Sequence, residues 1–113
     1  MKIFPAAQAF LGTEQEPSPS YEAAKAVIIP FGLEASVSYG GGTSKGPHAM
    51  IDASPELEMF DEHLWCEPYK AIGIATLDVE APQKDQKIAT ELKRLEAIVN
   101  QALTDGKFPM TFG

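Results

Sequence analysis

A single cysteine, Cys66, cannot close an internal disulfide, so no cross-link supports this chain and a reducing compartment suits it. Basic residues are scarce. Nine Lys and Arg stand against sixteen Asp and Glu, a net charge of −7. That balance excludes broad contact with nucleic-acid phosphates or an anionic membrane surface, both of which need a positive face. No apolar run approaches the roughly 20 residues of a membrane span. The stretch Met1–Gly12 carries one lysine and too short an apolar segment for a secretory signal, so a cytoplasmic location is the default. No internal repeat and no low-complexity tract is present. What remains is ordinary globular composition, 44% hydrophobic and 22% charged over 113 residues, about one domain in length.

The chain divides into a succession of segments. Residues 12–20, Gly-Thr-Glu-Gln-Glu-Pro-Ser-Pro-Ser, are polar and proline-bearing, the composition of a loop. Ala26–Phe31 is a continuous apolar run, the pattern of a strand buried on both faces, with Pro30 placed at its end because proline cannot donate to a central ladder. Leu33–Pro47 contains three consecutive glycines and forms a loop, and Pro47 opens a short helix to Ala53. Pro55–Leu64 fits both a helical and an alternating pattern, with its start read as extended. Tyr69–Asp78 then reads as a strand, Asp85–Asp105 as a helix and Phe108–Phe112 as a further strand. In the helix, Ile88, Leu92, Leu95, Val99 and Leu103 form one apolar stripe, with Lys84, Lys87, Lys93, Arg94 and Glu96 mostly off it. Gly106 supplies a left-handed cap and Pro109 stops continuation. A strand–helix–strand unit of this kind closes as a right-handed parallel pair. The expected architecture is α/β, a three-layer αβα arrangement around a mainly parallel sheet. Its functional loops would leave from the carboxyl ends of the strands, which places Gly113 where a site would begin.

The chemistry-bearing residues do not specify a reaction by themselves. Tyr39-Gly40-Gly41-Gly42-Thr43-Ser44-Lys45-Gly46-Pro47 is glycine-rich, yet a phosphate loop needs Gly-Lys-Ser/Thr in that order, and a dinucleotide fingerprint needs glycine where Lys45 stands. The loop is therefore either structural, lying at a subunit contact, or substrate-facing, and Ser38, Tyr39, Gly42, Thr43 and Lys45 are its candidate residues. His48 and His63 lack the partners of a metal set. Cys66 suits packing better than nucleophilic attack. Asp52, Asp61 and Asp78 are isolated carboxylates that capping and solvation explain.

Order and spacing say more. Ile29-Pro30-Phe31-Gly32, then Ser36 through Ile51 with its Gly-Gly-Gly-Thr-Ser-Lys-Gly-Pro-His-Ala-Met core, then Ala53-Ser54 resembles the start of the ureohydrolase family, which includes agmatinase, arginase and formiminoglutamase. Leu57-Glu58-Met59-Phe60-Asp61 resembles that family's following Leu-Glu…Asp segment, and Ala71–Val79 its second core strand. Ser38-Tyr39 and the Gly-Thr-Ser-Lys-Gly-Pro pattern look most like agmatinase-type members. Lys45 departs from the arginine usual before Gly-Pro.

The resemblance implies a two-manganese hydrolase in which the ions lower the pKa of a water to hydroxide. That hydroxide attacks a guanidinium carbon, as in the conversion of agmatine to putrescine and urea. It also implies a homo-oligomer. Thr111-Phe112-Gly113 resembles the approach to the family's Gly-Gly-Asp/Glu-His-Ser motif, so the manganese ligands are expected after Gly113. On that basis residues 1–113 form the N-terminal portion of a ureohydrolase domain, inactive alone. A natural short paralogue serving as a non-catalytic assembly partner, or a member acting on arginine or another guanidine compound, is the alternative.

Overall fold

The computed structural model describes residues 1–15 and 17–113; Glu16, inside the polar stretch expected as a loop, lies outside the described residues. Three parallel strands, β1 (Ala26–Pro30), β2 (Ile74–Thr76) and β3 (Phe108–Phe112), form one sheet in the order β2-β1-β3. Parallel strands buried on both faces need no polar alternation, and the run Val27–Pro30 is buried throughout. β1 pairs Ala26 with Ile74 on one side and Ala26 with Phe108 on the other, and the ladder to β3 runs on to Pro30 opposite Phe112. Pro30 ends β1 as expected. β2 and β3 flank β1 instead of pairing with each other, which corrects the expected adjacent pair: the helix between them carries the chain across the central strand.

Helices α1 (Gly46–Ala53), α2 (Pro68–Ile72) and α3 (Ile88–Thr104) complete the fold. Period-two alternation sends Val27 and Ile29 to one face of the sheet and Ile28 to the other. Val27, Ile29, Ala75 and Leu77 pack with Ala102, Leu95, Ile98 and Val99 of α3. On the opposite face Ile28 and Phe112 meet Ile51 of α1 and Phe10. The result is the expected three-layer αβα arrangement.

Several boundaries differ from the expectation. Tyr69–Asp78 does not form one strand. Pro68 sits in the first turn of α2, and Gly73 at φ +62° ends it by donating its N–H to the Tyr69 carbonyl at 2.8 Å. Only Ile74–Thr76 is left as strand, because a residue with positive φ must separate the two geometries. Gly12–Gln15, expected as loop, forms a 3-10 turn. The start of 55–64 is likewise helical: Ser54–Glu56 makes a 3-10 turn before Leu57 becomes extended. Further on, Asp61 and Cys66 exchange backbone hydrogen bonds across a tight turn, with Phe60 and Trp65 edge-to-face at 5.3 Å.

The long helix starts at Ile88 instead of Asp85, since Lys87 is still extended. Its C-terminus closes as expected. Gly106 is left-handed at φ +72°, and Lys107 N–H reaches back to the Ala102 carbonyl at 2.9 Å, the geometry of a Schellman cap. The apolar stripe is only half right. Leu95 and Val99 pack on the sheet, whereas Ile88, Leu92 and Leu103 are about half exposed. The helix is rolled so that Glu91 and Ala102 face inward, at 3% and 0% exposure. Burying Glu91 in place of Leu92 requires a partner for its charge, and Arg94 provides it.

The N-terminal segment lies along the outer edge of β2. Phe4 N–H donates to the Thr76 carbonyl, Phe10 N–H to Thr76 Oγ1, and the buried Gln15 side chain both donates to the Ile74 carbonyl (2.9 Å) and accepts from its N–H (3.1 Å). Leu11 N–H donates to Ser54 Oγ at 2.7 Å, which ties this segment to the end of α1. At the amino end of the sheet Tyr21 donates to Asp105 Oδ2 at 2.6 Å beneath the Lys107 ammonium.

Two measurements test this packing. Ala102→Asp places an unpaired carboxylate at a fully buried position and is expected to abolish cooperative urea unfolding, while Leu92→Asp should move the midpoint by no more than about 0.5 kcal/mol equivalent. Equal damage from both would mean that α3 presents the other face. The second concerns pH. Burial, reinforced by Asp105, pushes the Tyr21 hydroxyl up to about 12. A group whose folded pKa is raised holds its stabilisation below the unfolded value, near 10, and loses it as pH climbs towards 12. The urea midpoint should therefore fall between pH 10 and 12, and Tyr21→Phe should flatten that decline.

Candidate functional site at the carboxyl ends of the strands

The segments leaving β1 and β2 face each other across a cavity of about 200 Å³, walled by Leu33, Glu34, Ser44 and His48 on one side and by Val79, Gln83 and Lys84 on the other. The chain leaves β1 for α1 on one face of the sheet and leaves β2 for α3 on the opposite face. Adjacent strands whose connections diverge in this way open a crevice at their carboxyl ends, the usual place for a ligand in open α/β sheets. The end of β3 joins the same surface. Gly113 lies beside Phe31 and Gly46, where an added Cβ would stand 3.8 Å from the neighbouring carbonyl oxygen in each case.

The wall after β1 is held by one carboxylate. Glu34 Oε1 accepts the Gly42 N–H at 3.0 Å, and Oε2 accepts the Ser44 N–H at 3.1 Å and the Ser44 hydroxyl at 2.9 Å. These bonds to the ionised form hold the Glu34 carboxyl below the usual range, the Gly42 and Ser44 amides first and the nearby Lys84 ammonium last. Two glycines make the clasp feasible. Gly42 takes φ +110°, and a Cβ on Gly32 would fall 2.1 Å from the Ser44 carbonyl oxygen, so the two ends of the loop touch through backbone alone.

The wall after β2 is held by Arg94 and Glu91. The guanidinium donates twice to Glu91 Oε2, at 3.0 Å from Nε and 2.7 Å from Nη2, and once to the Glu80 carbonyl at 2.9 Å. It also lies 4.8 Å from the centre of the Phe31 ring. The hydrogen bonds from Arg94, then the Gln83 N–H, hold the Glu91 carboxyl below its usual range. One arginine thus fastens the β2–α3 connection, the helix and the first residue after β1 to one another.

Of the loop residues expected from the sequence, Gly42 and Thr43 lie at the clasp or next to it, and Thr43–Lys45 forms a 3-10 turn leading into α1. Ser38 and Tyr39 stand at the outer part of the loop, with Tyr39 99% exposed. Lys45 is exposed, immediately before the helix. His48 reaches the cavity, whereas His63 lies in the separate turn between Asp61 and Cys66, and the two do not converge. Among the described residues no three His, Cys, Asp or Glu side chains are grouped to hold a metal ion. Glu34, Glu91 and Arg94 were missed. Glu34 had a signal: it is the one acidic side chain between Phe31 and Pro47, next to a glycine run whose amides need an acceptor. Glu91 and Arg94 had only their i, i+3 spacing.

The sequence model of the Arginase family matches residues 24–113. The chain belongs to the Arginase family. It is 35% identical over 107 residues to an N(1)-aminopropylagmatine ureohydrolase of Synechocystis sp., an alignment that covers 88% of this chain and 34% of that relative. Its fold is similar to the crystal structure of the agmatine ureohydrolase of Thermoplasma volcanium, with a TM-score of 0.67 and 28% identity over 82% of this chain and 31% of that one. The chain thus spans about a third of the length of each relative.

Gly32→Ala tests the close approach at the base of the loop. Forcing a methyl group into the Ser44 carbonyl should cost about 1–3 kcal/mol by urea unfolding, the usual range for overpacking. Gly40→Ala, where the added carbon meets open space but φ is +64°, should cost about 1–2 kcal/mol, from backbone strain alone. A Gly32→Ala variant as stable as the parent would remove the close approach.

Proposed function

We propose that the chain is the N-terminal portion of an agmatinase-type ureohydrolase, a hydrolase that releases urea from a small guanidine compound such as agmatine. The observation that carries this reading is the β1–loop–α1 segment. The glycine-rich Ser38–Pro47 stretch that marks the resemblance is the one clasped by Glu34 at the carboxyl ends of the strands, inside the region matched to the Arginase family. Both relatives are named for hydrolysing agmatine or its aminopropyl derivative, which favours a guanidine with an amine-bearing tail over arginine.

Manganese enters through the family. The described residues do not fit a manganese pair, because His48 and His63 line separate cavities and no three His, Cys, Asp or Glu side chains among the described residues are grouped to hold an ion. Ligands contributed from beyond Gly113 are part of this proposal. Within it, residues 1–113 build one side of the site: Glu34 sets the loop after β1, and Arg94 with Glu91 sets the connection after β2. Ser38, Tyr39, Gly42, Thr43 and Lys45 then form a surface that meets either the substrate or a second subunit of a homo-oligomer. A cytoplasmic location and a place in polyamine formation accompany this reading.

The test compares the 113-residue chain with a longer protein that includes the family's downstream motifs. The longer protein should bind about two manganese ions per subunit by elemental analysis and release urea from agmatine. The short chain should bind manganese no better than a surface-carboxylate control and release no urea. Urea from the short chain would overturn the placement of the ligands. Activity on arginine but not on agmatine or its aminopropyl derivative would keep the family and replace the substrate.

A further inference from the structure

We propose that the outer edge of β3 and the adjoining flank of α3 form a two-fold interface that takes a second copy of this chain, with Thr111 on the axis. β3 is an end strand of the sheet, and Phe108-Pro109-Met110-Thr111-Phe112 carries no charge to ward off pairing. Phe108 N–H donates to the Lys25 carbonyl, and the Phe112 carbonyl accepts from Phe31 N–H. Phe108, Met110 and Phe112 therefore turn their backbone groups towards β1, and alternation turns those of Pro109, Thr111 and Gly113 outward.

These outward groups are self-complementary. Laid antiparallel about Thr111, two copies exchange both Thr111 hydrogen bonds, and each Gly113 N–H meets the Pro109 carbonyl of the other copy. The donor that proline lacks falls opposite the carbonyl of Gly113, an exposed residue at the end of the ladder where water serves instead.

The helix repeats the symmetry. Arg94 and Ile98 share a cavity with Leu77 and Val79 at the end of β2, so the opposite flank of α3 faces the β3 side, with Ile88, Leu92 and Leu103 each about half exposed. Ile88, Leu92, Val99 and Leu103 are spaced evenly about a point between Leu95 and Glu96. An antiparallel copy thus sets Ile88 against Leu103 and Leu92 against Val99. That point lies level with Thr111: the strand steps from Lys107 to Thr111 climb about 13 Å, and about nine helical residues back from Thr104 cover the same height, reaching Leu95. Lys93 and Glu96 straddle the point, so each copy offers a base to the acid of the other. One axis serves both elements.

Sedimentation equilibrium of the 113-residue chain over a concentration series should show the mass rising from one copy to two. Thr111→Pro removes an N–H that points away from β1. It should leave the circular dichroism and urea midpoint of dilute protein unchanged and raise the dimer Kd about tenfold or more, the scale of two lost hydrogen bonds. Leu103→Asp, in the helical half of the interface, should weaken the dimer to a similar degree. A monomer at every concentration would overturn the proposal. So would a dimer untouched by both variants, which places the contact on another face. A Thr111→Pro chain that cannot fold would overturn it as well, because the Thr111 N–H would then be used within the sheet. Urea release by the longer protein bears on none of these outcomes.

Discussion

Everything in the molecule hangs on β1 being paired on both sides. A central parallel strand has no solvent-facing backbone, so its side chains must be apolar on both faces and each face must be covered. Val27 and Ile29 draw α3 onto one face, and Ile28 draws α1 onto the other. Because β2 and β3 lie on opposite sides of β1, the two connections that leave β1 and β2 run to opposite faces of the sheet. The crevice between them follows from the strand order alone. The Glu34 clasp and the Arg94–Glu91 pair then fix its walls.

The two fasteners are built differently. Glu34 is partly solvated and bonds mainly to backbone amides, which suits a loop that must hold a shape without being buried. Glu91 is enclosed, and its charge is tolerated only because Arg94 meets it at hydrogen-bonding distance while the guanidinium also covers Phe31. Loss of Arg94 would leave the Glu91 charge enclosed and uncompensated, whereas Arg94, whose side chain is 32% exposed, would still reach water without Glu91. The price of burying a glutamate where Leu92 could have gone is thus offset by a contact that reaches three separate segments.

The elements legible in the sequence are those whose pattern is long or unambiguous. The Ala26–Phe31 run, the helix ending at Gly106 and the final strand were all readable, because uninterrupted apolar residues, a repeating interval and a glycine stop leave few alternatives. Tyr69–Asp78 was not. Its apolar residues suit either geometry, and the decision rests on Gly73 adopting a positive φ. The roll of α3 was equally hidden, since an apolar stripe was present and only the pairing of Glu91 with a residue one turn on displaced it. At the site, the glycine-rich loop was visible from composition, and the carboxylate that shapes it was marked only by being the one acid between Phe31 and Pro47, a signal that names no partners until its three donors are in place.

The Gln15 side chain has a consequence for how this sheet can grow. Its amide offers one donor and one acceptor to Ile74, the same pair that a neighbouring strand would offer, and Phe4 N–H occupies the Thr76 carbonyl further along. A side chain can satisfy an edge but cannot itself be extended, so β2 is a terminus in the crystallographer's sense of a growth-poisoned face. Any additional strand must enter beside β3. The sheet has a built-in direction, and the first residues of the chain set it.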